Sequence, residues 1–246
     1  NLGPGFDSMG LAVGLWDTYD VRLTDGEDAA ESVVGEGSSQ VPRDGRHLVI
    51  RSMRHAWQVL GVAAPVGISL SAINSVPHSR GLGSSATAIV GGVSAALALA
   101  RPGELDLATV ADIASDLEGH PDNATASVYG GCTLSWPADD SASGHSTCTV
   151  RPRLHPDVDL QVWVPNQELS TALARSVLPA HVPLADAARN SARVGLLVHA
   201  LTADPAQLLA ATRDYLHQQA RRESYADSMA LVDRLRADGQ AAVISG

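Results

Sequence analysis

The ten residues from Pro77 to Ala86 constrain this chain more than any others. Gly81 and Gly83 let the backbone turn tightly and come close to a ligand, and Ser84, Ser85 and Ala86 open a helix predicted to run to about Ala100. Such a helix start presents unpaired N–H groups, and about half a positive charge from the aligned peptide dipoles, to whatever lies in front of it. It is an anion site in waiting, and the dipole makes up for the absence of a lysine when the ligand is a phosphate. The hydroxyls of Ser84 and Ser85 can cap the helix or reach a phosphate-bound Mg²⁺. The segment lacks the Gly-Lys-Ser/Thr of a Walker loop. Position 86 is Ala and no βαβ unit surrounds it, so it is not a GxGxxG dinucleotide turn, nor is it a GxSxG elbow. A plain helix start carrying Gly and Ser has the same local pattern, so the context decides.

All 17 basic residues are arginine. A lysine-dependent phosphate loop and a Schiff-base mechanism are therefore excluded within this stretch. The net charge of -10, with the arginines scattered, argues against a nucleic-acid partner, because phosphate neutralisation needs clustered cations. The 246 residues, 45% of them hydrophobic, suffice for one large domain or two modest ones. The one long apolar run, Ala86 to Ala100, is interrupted by Thr87, Gly91, Gly92 and Ser94 and is too short to cross a bilayer. No positively charged leader precedes it, so no membrane partner and a cytoplasmic location are expected. Cys132 and Cys148 lack CxxC spacing and read as packed thiols, and the nine histidines form no HxxxH or HxH pair of zinc-site type.

Leu11, Val13 and Leu15, then Tyr19, Val21 and Leu23, fall at strand spacing on either side of Trp16 and Asp17. Residues 27–45 read as a solvated loop or edge hairpin, followed by a helix from about His47 to Leu60 that Gly61 ends, and by a strand through Val66, Ile68, Leu70 and Ala72. Helical spacing returns from Leu107 to Leu117, a loop begins at His120, and Tyr129 to Trp136 and Cys148 to Arg151 read as paired strands. After a boundary near Pro152 to Pro156 the chain is mostly helical. A strand from Leu160 to Val164 leads into helices over Glu168 to Leu178, Leu184 to Thr202, Pro205 to Arg222 and Tyr225 to Asp238, with a last strand from Ala241 to Ser245. Two domains, 1–154 and 155–246, are expected.

Pro77 to Ala86 resembles the phosphate loop of the GHMP kinases, Pro-x-x-x-Gly-Leu-Gly-Ser-Ser-Ala, at every fixed position. The resemblance implies that Pro77, Arg80, Gly81, Leu82, Gly83, Ser84, Ser85 and Ala86 bind ATP, with Ser84 or Ser85 near the metal. Two further blocks narrow it. Asn1 to Leu11, with Gly3, Pro4, Gly5, Phe6 and Asp7, is similar to the N-terminal signature of homoserine kinases, and Glu118 to Ala124 followed by Gly130 and Gly131 is similar to a second block of that family. A primary alcohol must approach the γ-phosphorus in line. An amide such as Asn123 can hold the hydroxyl while His120 and Asp122 orient the loop or a substrate amine. Asn1 and Asp7 are also expected at the substrate, and Asp7 is the one candidate base, although turn capping is the ordinary fate of both residue types. Asn123 to Thr125 also fits a glycosylation acceptor, a reading that needs secretion. Homoserine kinases usually place a glutamate magnesium ligand shortly before the second block. Here Asp116 stands there, so Asp116 joins Ser84 and Ser85 as the expected metal set, with Glu118 the alternative. In the second half Thr171 and Arg175 lie four apart on one helix face, and Arg221 follows Leu216, His217 and Gln218 as in the family, with Arg222 competing. Arg175 and Arg221 would hold a carboxylate bidentately. A solvated helix face with ion pairs is the alternative for both.

The resemblance implies an α+β, two-domain GHMP kinase fold: an N-terminal domain like the second domain of ribosomal protein S5, a ferredoxin-like C-terminal domain, and the active site between them. It implies phosphorylation of L-homoserine by ATP with Mg²⁺, a step of threonine biosynthesis, in a family where homodimers are common. A GHMP kinase for another alcohol, such as mevalonate or a sugar, and a catalytically silent ligand sensor of the same fold remain the other readings. Asn1 enters the first signature part-way and Val243 to Gly246 resembles the opening of a glycine-rich third motif. The activity is therefore expected of a longer parent, with residues 1–246 alone inactive and poorly stable.

Overall fold

The computed structural model describes residues 2–139, 145–169 and 171–245, the side chains of residues 171 and 172 excepted. In chain order the first half comprises β1 (Met9–Leu11), β2 (Thr18–Thr24), β3 (Ala29–Gly35), α1 (Leu48–Val59), β4 (Gly67–Asn74), α2 (Ser84–Ala100), α3 (Leu107–Glu118), α4 (Pro121–Tyr129), β5 (Cys132–Pro137) and β6 (Thr147–Val150). The second half contributes α5 (Thr171–Ser176), α6 (Leu184–Thr202), α7 (Leu208–Ala211) and α8 (Ala226–Ala237), and no strand among the described residues.

One sheet has the order β2-β4-β3, with β2 antiparallel and β3 parallel to β4. Alternation along β4 buries Ile68, Leu70 and Ala72 against the helices. Apolar residues at helical spacing on α1, namely Val49, Ile50, Met53, Ala56 and Trp57, join Ile89, Val93, Ala96 and Leu97 of α2 in the main core. The Trp57 indole donates to the Ala96 carbonyl at 3.0 Å, so the ring is satisfied as well as buried.

Asp28 and Arg54 tie α1 to this sheet. Arg54 pairs with the Asp28 carboxylate and donates to the carbonyls of Pro65 and Val66, while Asp28 also accepts the Ile68 N–H. Arg54→Ala removes the cation beside the part-buried Asp28 carboxylate and the donor to the part-buried Pro65 carbonyl, and is expected to lower stability by about 2 kcal/mol, read as a shifted urea midpoint at constant slope.

The second sheet, β1-β5-β6, is antiparallel throughout. Its Met9 and Cys132 pack with Leu197, Ala200, Leu201 and Ala211 of α6 and α7, so the N-terminal strand bridges the two halves. Both cysteines are free thiols, as the spacing predicted. Among the described residues no helix is long and apolar enough to cross a membrane.

Several expected elements differ. Residues 29–35 form an edge strand pairing parallel with β4, a non-local partner that local pattern does not reveal. His120 to Asn123, expected as a loop, enters α4, because Pro121 occupies the first helical turn, where its missing N–H costs nothing. The helix expected over Pro205 to Arg222 is a short 3₁₀ turn at Pro205–Gln207 followed by α7, and it stops at Thr212. Beyond it the Asp214 carboxylate takes the N–H groups of Leu216, His217 and Gln218, an alternative to the helical ladder. Neither Leu160 to Val164 nor Ala241 to Ser245 is a strand. Both segments have the apolar content of strands, yet neither pairs with another strand among the described residues.

Candidate active site

Four segments converge on one cleft, lined by residues 79–85 and by His120, Asn123, Leu169, Arg175, Arg221 and Tyr225. The glycine-rich loop enters it from a fixed point, since Asp17 Oδ1 accepts the N–H groups of Ser75 and Val76 at 2.7 and 3.0 Å. Gly83 is the N-cap of α2 with φ 73°, a left-handed conformation that a side chain would strain, and it faces the side chain of Asn123 at the start of α4. The N–H groups of α2 thus open beside the Asn123 amide. Ser85 Oγ, in the first turn of α2, donates to Glu118 Oε1 at 2.7 Å, which sets a hydroxyl and a carboxylate at the helix mouth.

The N-terminal turn approaches from the other side. Gly10 of β1 lies so near α4 that a Cβ there would collide with the Asp122 carbonyl oxygen, and this contact brings Asp7 to the same place. Asp7 (φ 57°) and Ser79 (φ 55°) are the non-glycine residues at positive φ among the described residues, and both border this cleft. One ligand atom from each of Asp7, His120 and Asp122 lies within 4.8 Å of the others, forming an acidic pole. Asp122 is fully buried. Burial pushes its carboxyl up, but the 2.6 Å hydrogen bond from His120 Nδ1 and the Asn123 N–H help hold it below its ordinary value.

A basic pole stands opposite. Arg175 of α5 makes a two-pronged ion pair with Asp7 at 2.6 and 3.2 Å. Arg221, 1% exposed, donates from Nε to the Ala174 carbonyl at 3.0 Å and from Nη1 to His217 Nδ1 at 3.2 Å. Both guanidinium carbons sit over the Phe6 ring, at 5.4 and 5.3 Å from its centroid. Burial, with the charge of Arg221, holds His217 below its ordinary value, so the ring is neutral, donates from Nε2 to the Gly3 carbonyl and accepts from Arg221. Burial likewise lowers the Arg221 pKa, yet a guanidinium remains charged at neutral pH.

The structure brings Asp7, Gly81, Leu82, Gly83, Ser84, Ser85, His120, Asp122, Asn123, Arg175 and Arg221 together. Pro77 leads into the loop and Ala86 is buried behind it, so these two shape the site without lining it. Arg80 borders the cleft, but its guanidinium is engaged by the Pro165 carbonyl and Glu168. Asn1 and the side chain of Thr171 lie outside the described residues. Asp116 is the correction. Its carboxylate is exposed, lies 4.0 Å from His55 of α1 and is not among the groups that line the cleft. Glu118, two residues on and so on nearly the opposite face, holds Ser85. Arg222 is excluded from the cleft by its exposed pairing with Asp233.

Of the supports for the basic pole, sequence reasoning missed Phe6 and Asp214, whereas Asn190 lies in a block that resembles the family's, with packing at a domain junction as its alternative role. Phe6 is the platform for both guanidiniums and stacks on His217 at 4.9 Å. Asn190 bonds the Pro4 carbonyl and the Tyr215 N–H, and Asp214 shapes the turn that carries His217. An aspartate just ahead of a run of N–H groups was the available signal.

This fold, with a lysine-free phosphate loop at a helix start, defines a GHMP-type kinase, and residues 47–131 match the family described as GHMP kinases N terminal domain. A homoserine kinase of Cutibacterium acnes is 47% identical over all of this chain and 82% of its own length. One of Streptomyces coelicolor is 46% identical over all of this chain and 78% of its own. A structure from Listeria monocytogenes assigned as a homoserine kinase superposes with a TM-score of 0.71 at 26% identity, covering 100% of this chain and 79% of that one. The chain belongs to the homoserine kinase family.

Proposed function

We propose that the protein transfers the γ-phosphoryl group of ATP to the side-chain hydroxyl of L-homoserine, giving O-phospho-L-homoserine and ADP in the cytoplasmic synthesis of threonine. The observation that carries this reading is the meeting of both charges beside the phosphate loop: Asp7, backed by the buried Asp122, against Arg175 and Arg221. A zwitterionic amino acid complements both, its ammonium toward the carboxylates and its carboxylate toward the guanidinium forks. Mevalonate and sugars carry no ammonium, so the acidic pole would face them unpaired. The relatives named above are homoserine kinases, in line with this choice.

Catalysis by these residues is positioning and charge stabilisation. The N–H groups of α2 and the glycine loop receive the phosphates, and the Asn123 amide holds the hydroxyl in line. The hydroxyl oxygen bonds to the γ-phosphorus as the bridging bond to ADP breaks, and the hydroxyl proton passes late to an oxygen of the transferred phosphoryl group, a course that needs no strong base. Asp7, already paired with Arg175, therefore binds substrate rather than abstracting the proton. Ser85 Oγ and Glu118 Oε1 are hard oxygen donors at the helix mouth and fit Mg²⁺, which when bound neutralises charge on the phosphates. The phosphate loop comes from residues before 154 and both arginines from residues after it, which supports a division at that point.

Substrate-dependent ADP release across L-homoserine, mevalonate and galactose tests the proposal. Turnover of homoserine alone is expected. Turnover of mevalonate without homoserine would replace the substrate, and calorimetric binding of homoserine without turnover would make the protein a sensor.

A further inference from the structure

We infer that Arg80 is a positioning residue for the amino-acid pocket and not a phosphate ligand: it ties the phosphate loop to the strap that sets the helix carrying Arg175. The inference rests on the homoserine kinase reading. Arg80 lies between Ser79 and Gly81, both left-handed with φ 55° and 72°, so the loop backbone fixes its direction on both sides. Its Nη1 donates to the Pro165 carbonyl at 3.2 Å, and its Nη2 lies 3.6 Å from a Glu168 carboxylate oxygen. Beside it the Leu169 N–H donates to the Ser79 carbonyl at 2.8 Å. These three contacts tie residues 165–169 to the loop, in a segment where Asn166, Gln167 and Glu168 are exposed and which has no regular secondary structure.

Two residues past Leu169 the chain enters α5, which presents Arg175 to Asp7 and the Ala174 carbonyl to Arg221 Nε. A shift of the strap therefore displaces one guanidinium directly and removes the anchor of the other. Nucleotide that orders the loop would, through Arg80, order the amino-acid pocket, and by linkage the amino acid would favour nucleotide by the same factor.

The test compares wild type with Arg80→Ala, Arg80→Lys and Glu168→Gln. Each is titrated calorimetrically with L-homoserine and, separately, with a magnesium complex of a non-hydrolysable ATP analogue, and kcat and both KM values are measured. Arg80→Ala is expected to raise the homoserine Kd and KM about tenfold, the loss of one charge-assisted anchor, with the nucleotide Kd changed less than about twofold. Glu168→Gln is decisive, because an anionic side chain is no phosphate ligand; it should weaken homoserine in the same direction by about threefold. Arg80→Lys should recover part of the loss, since an ammonium keeps the ion pair without the fork. A tenfold loss of nucleotide affinity in Arg80→Ala with homoserine unaffected, or no effect of Glu168→Gln, overturns the inference. A wild type that binds nucleotide but no homoserine overturns the substrate reading instead. If Arg80→Ala does not fold, Arg80→Lys and Glu168→Gln decide alone.

Discussion

Glu118→Gln is expected to lower kcat by about 10²–10³-fold, while Asp116→Asn stays within about twofold of wild type. The two carboxylates are separated by a single residue, yet they serve different faces of α3. Glu118 receives the Ser85 hydroxyl at 2.7 Å at the mouth of α2, where the proposed reaction puts the phosphates of ATP and their cation. Replacing a carboxylate by an amide there keeps the shape and a hydrogen bond to Ser85 but removes the negative charge that a hard divalent ion requires. The half-saturating Mg²⁺ concentration should rise along with the fall in kcat, which separates a metal role from mere support of the helix. Asp116, exposed and 4.0 Å from His55, can lose its charge at little cost. Steady-state rates at fixed ATP and varied Mg²⁺ for both variants give the answer. Loss of magnesium dependence in Asp116→Asn with Glu118→Gln active would return the metal to Asp116.

Sequence position favours Asp116 and helical phase favours Glu118, for a physical reason. Val110, Ala111, Ile113, Ala114 and Ser115 are the buried residues of α3, and Glu118 lies one turn beyond Ala114 and two beyond Ala111, whereas Asp116 falls opposite the centre of that face. Distance along the sequence to the His120 block and the phase of α3 thus point to different carboxylates. The phosphate loop was legible because its function resides in local backbone geometry: Gly83 is both the motif glycine and the left-handed N-cap of α2. Leu184–Thr202 was legible because its apolar face repeats at helical period over nineteen residues and packs on the sheet that begins with Met9. What local pattern could not give were long-range partners. The Phe6 platform unites residues about 170 and 215 positions away, and β3 finds its parallel neighbour only across α1. Asp214 shows the same limit at short range, where one buried carboxylate taking three N–H groups overrides the helical propensity of the residues around it.

Arg175→Ala and Arg221→Ala are expected to weaken homoserine alike and to differ sharply in stability. On the proposed reading each removes one cationic partner of the substrate carboxylate, and a charged hydrogen-bonded pair of that kind corresponds to about 3 kcal/mol, or roughly a hundredfold in homoserine KM. Arg175 is about one-third exposed, and its recorded polar partner, Asp7, is equally exposed and can turn to water, so the folded state should lose less than about 1 kcal/mol. Arg221 is enclosed. Its removal strands the Ala174 carbonyl and His217 Nδ1 and leaves an opening beneath Phe6, so stability should fall by about 3 kcal/mol. Arg221→Lys should not restore it, since one ammonium cannot reproduce contacts that diverge from a planar fork. Urea unfolding and homoserine KM, measured on both variants, separate the roles, and an Arg221→Ala protein as stable as wild type would show that the buried guanidinium is held for binding alone. Saturating homoserine offers a further check. A ligand stabilises the folded state in proportion to the logarithm of its saturation ratio, so at one fixed concentration homoserine should raise the melting temperature of wild type clearly and that of either variant by much less.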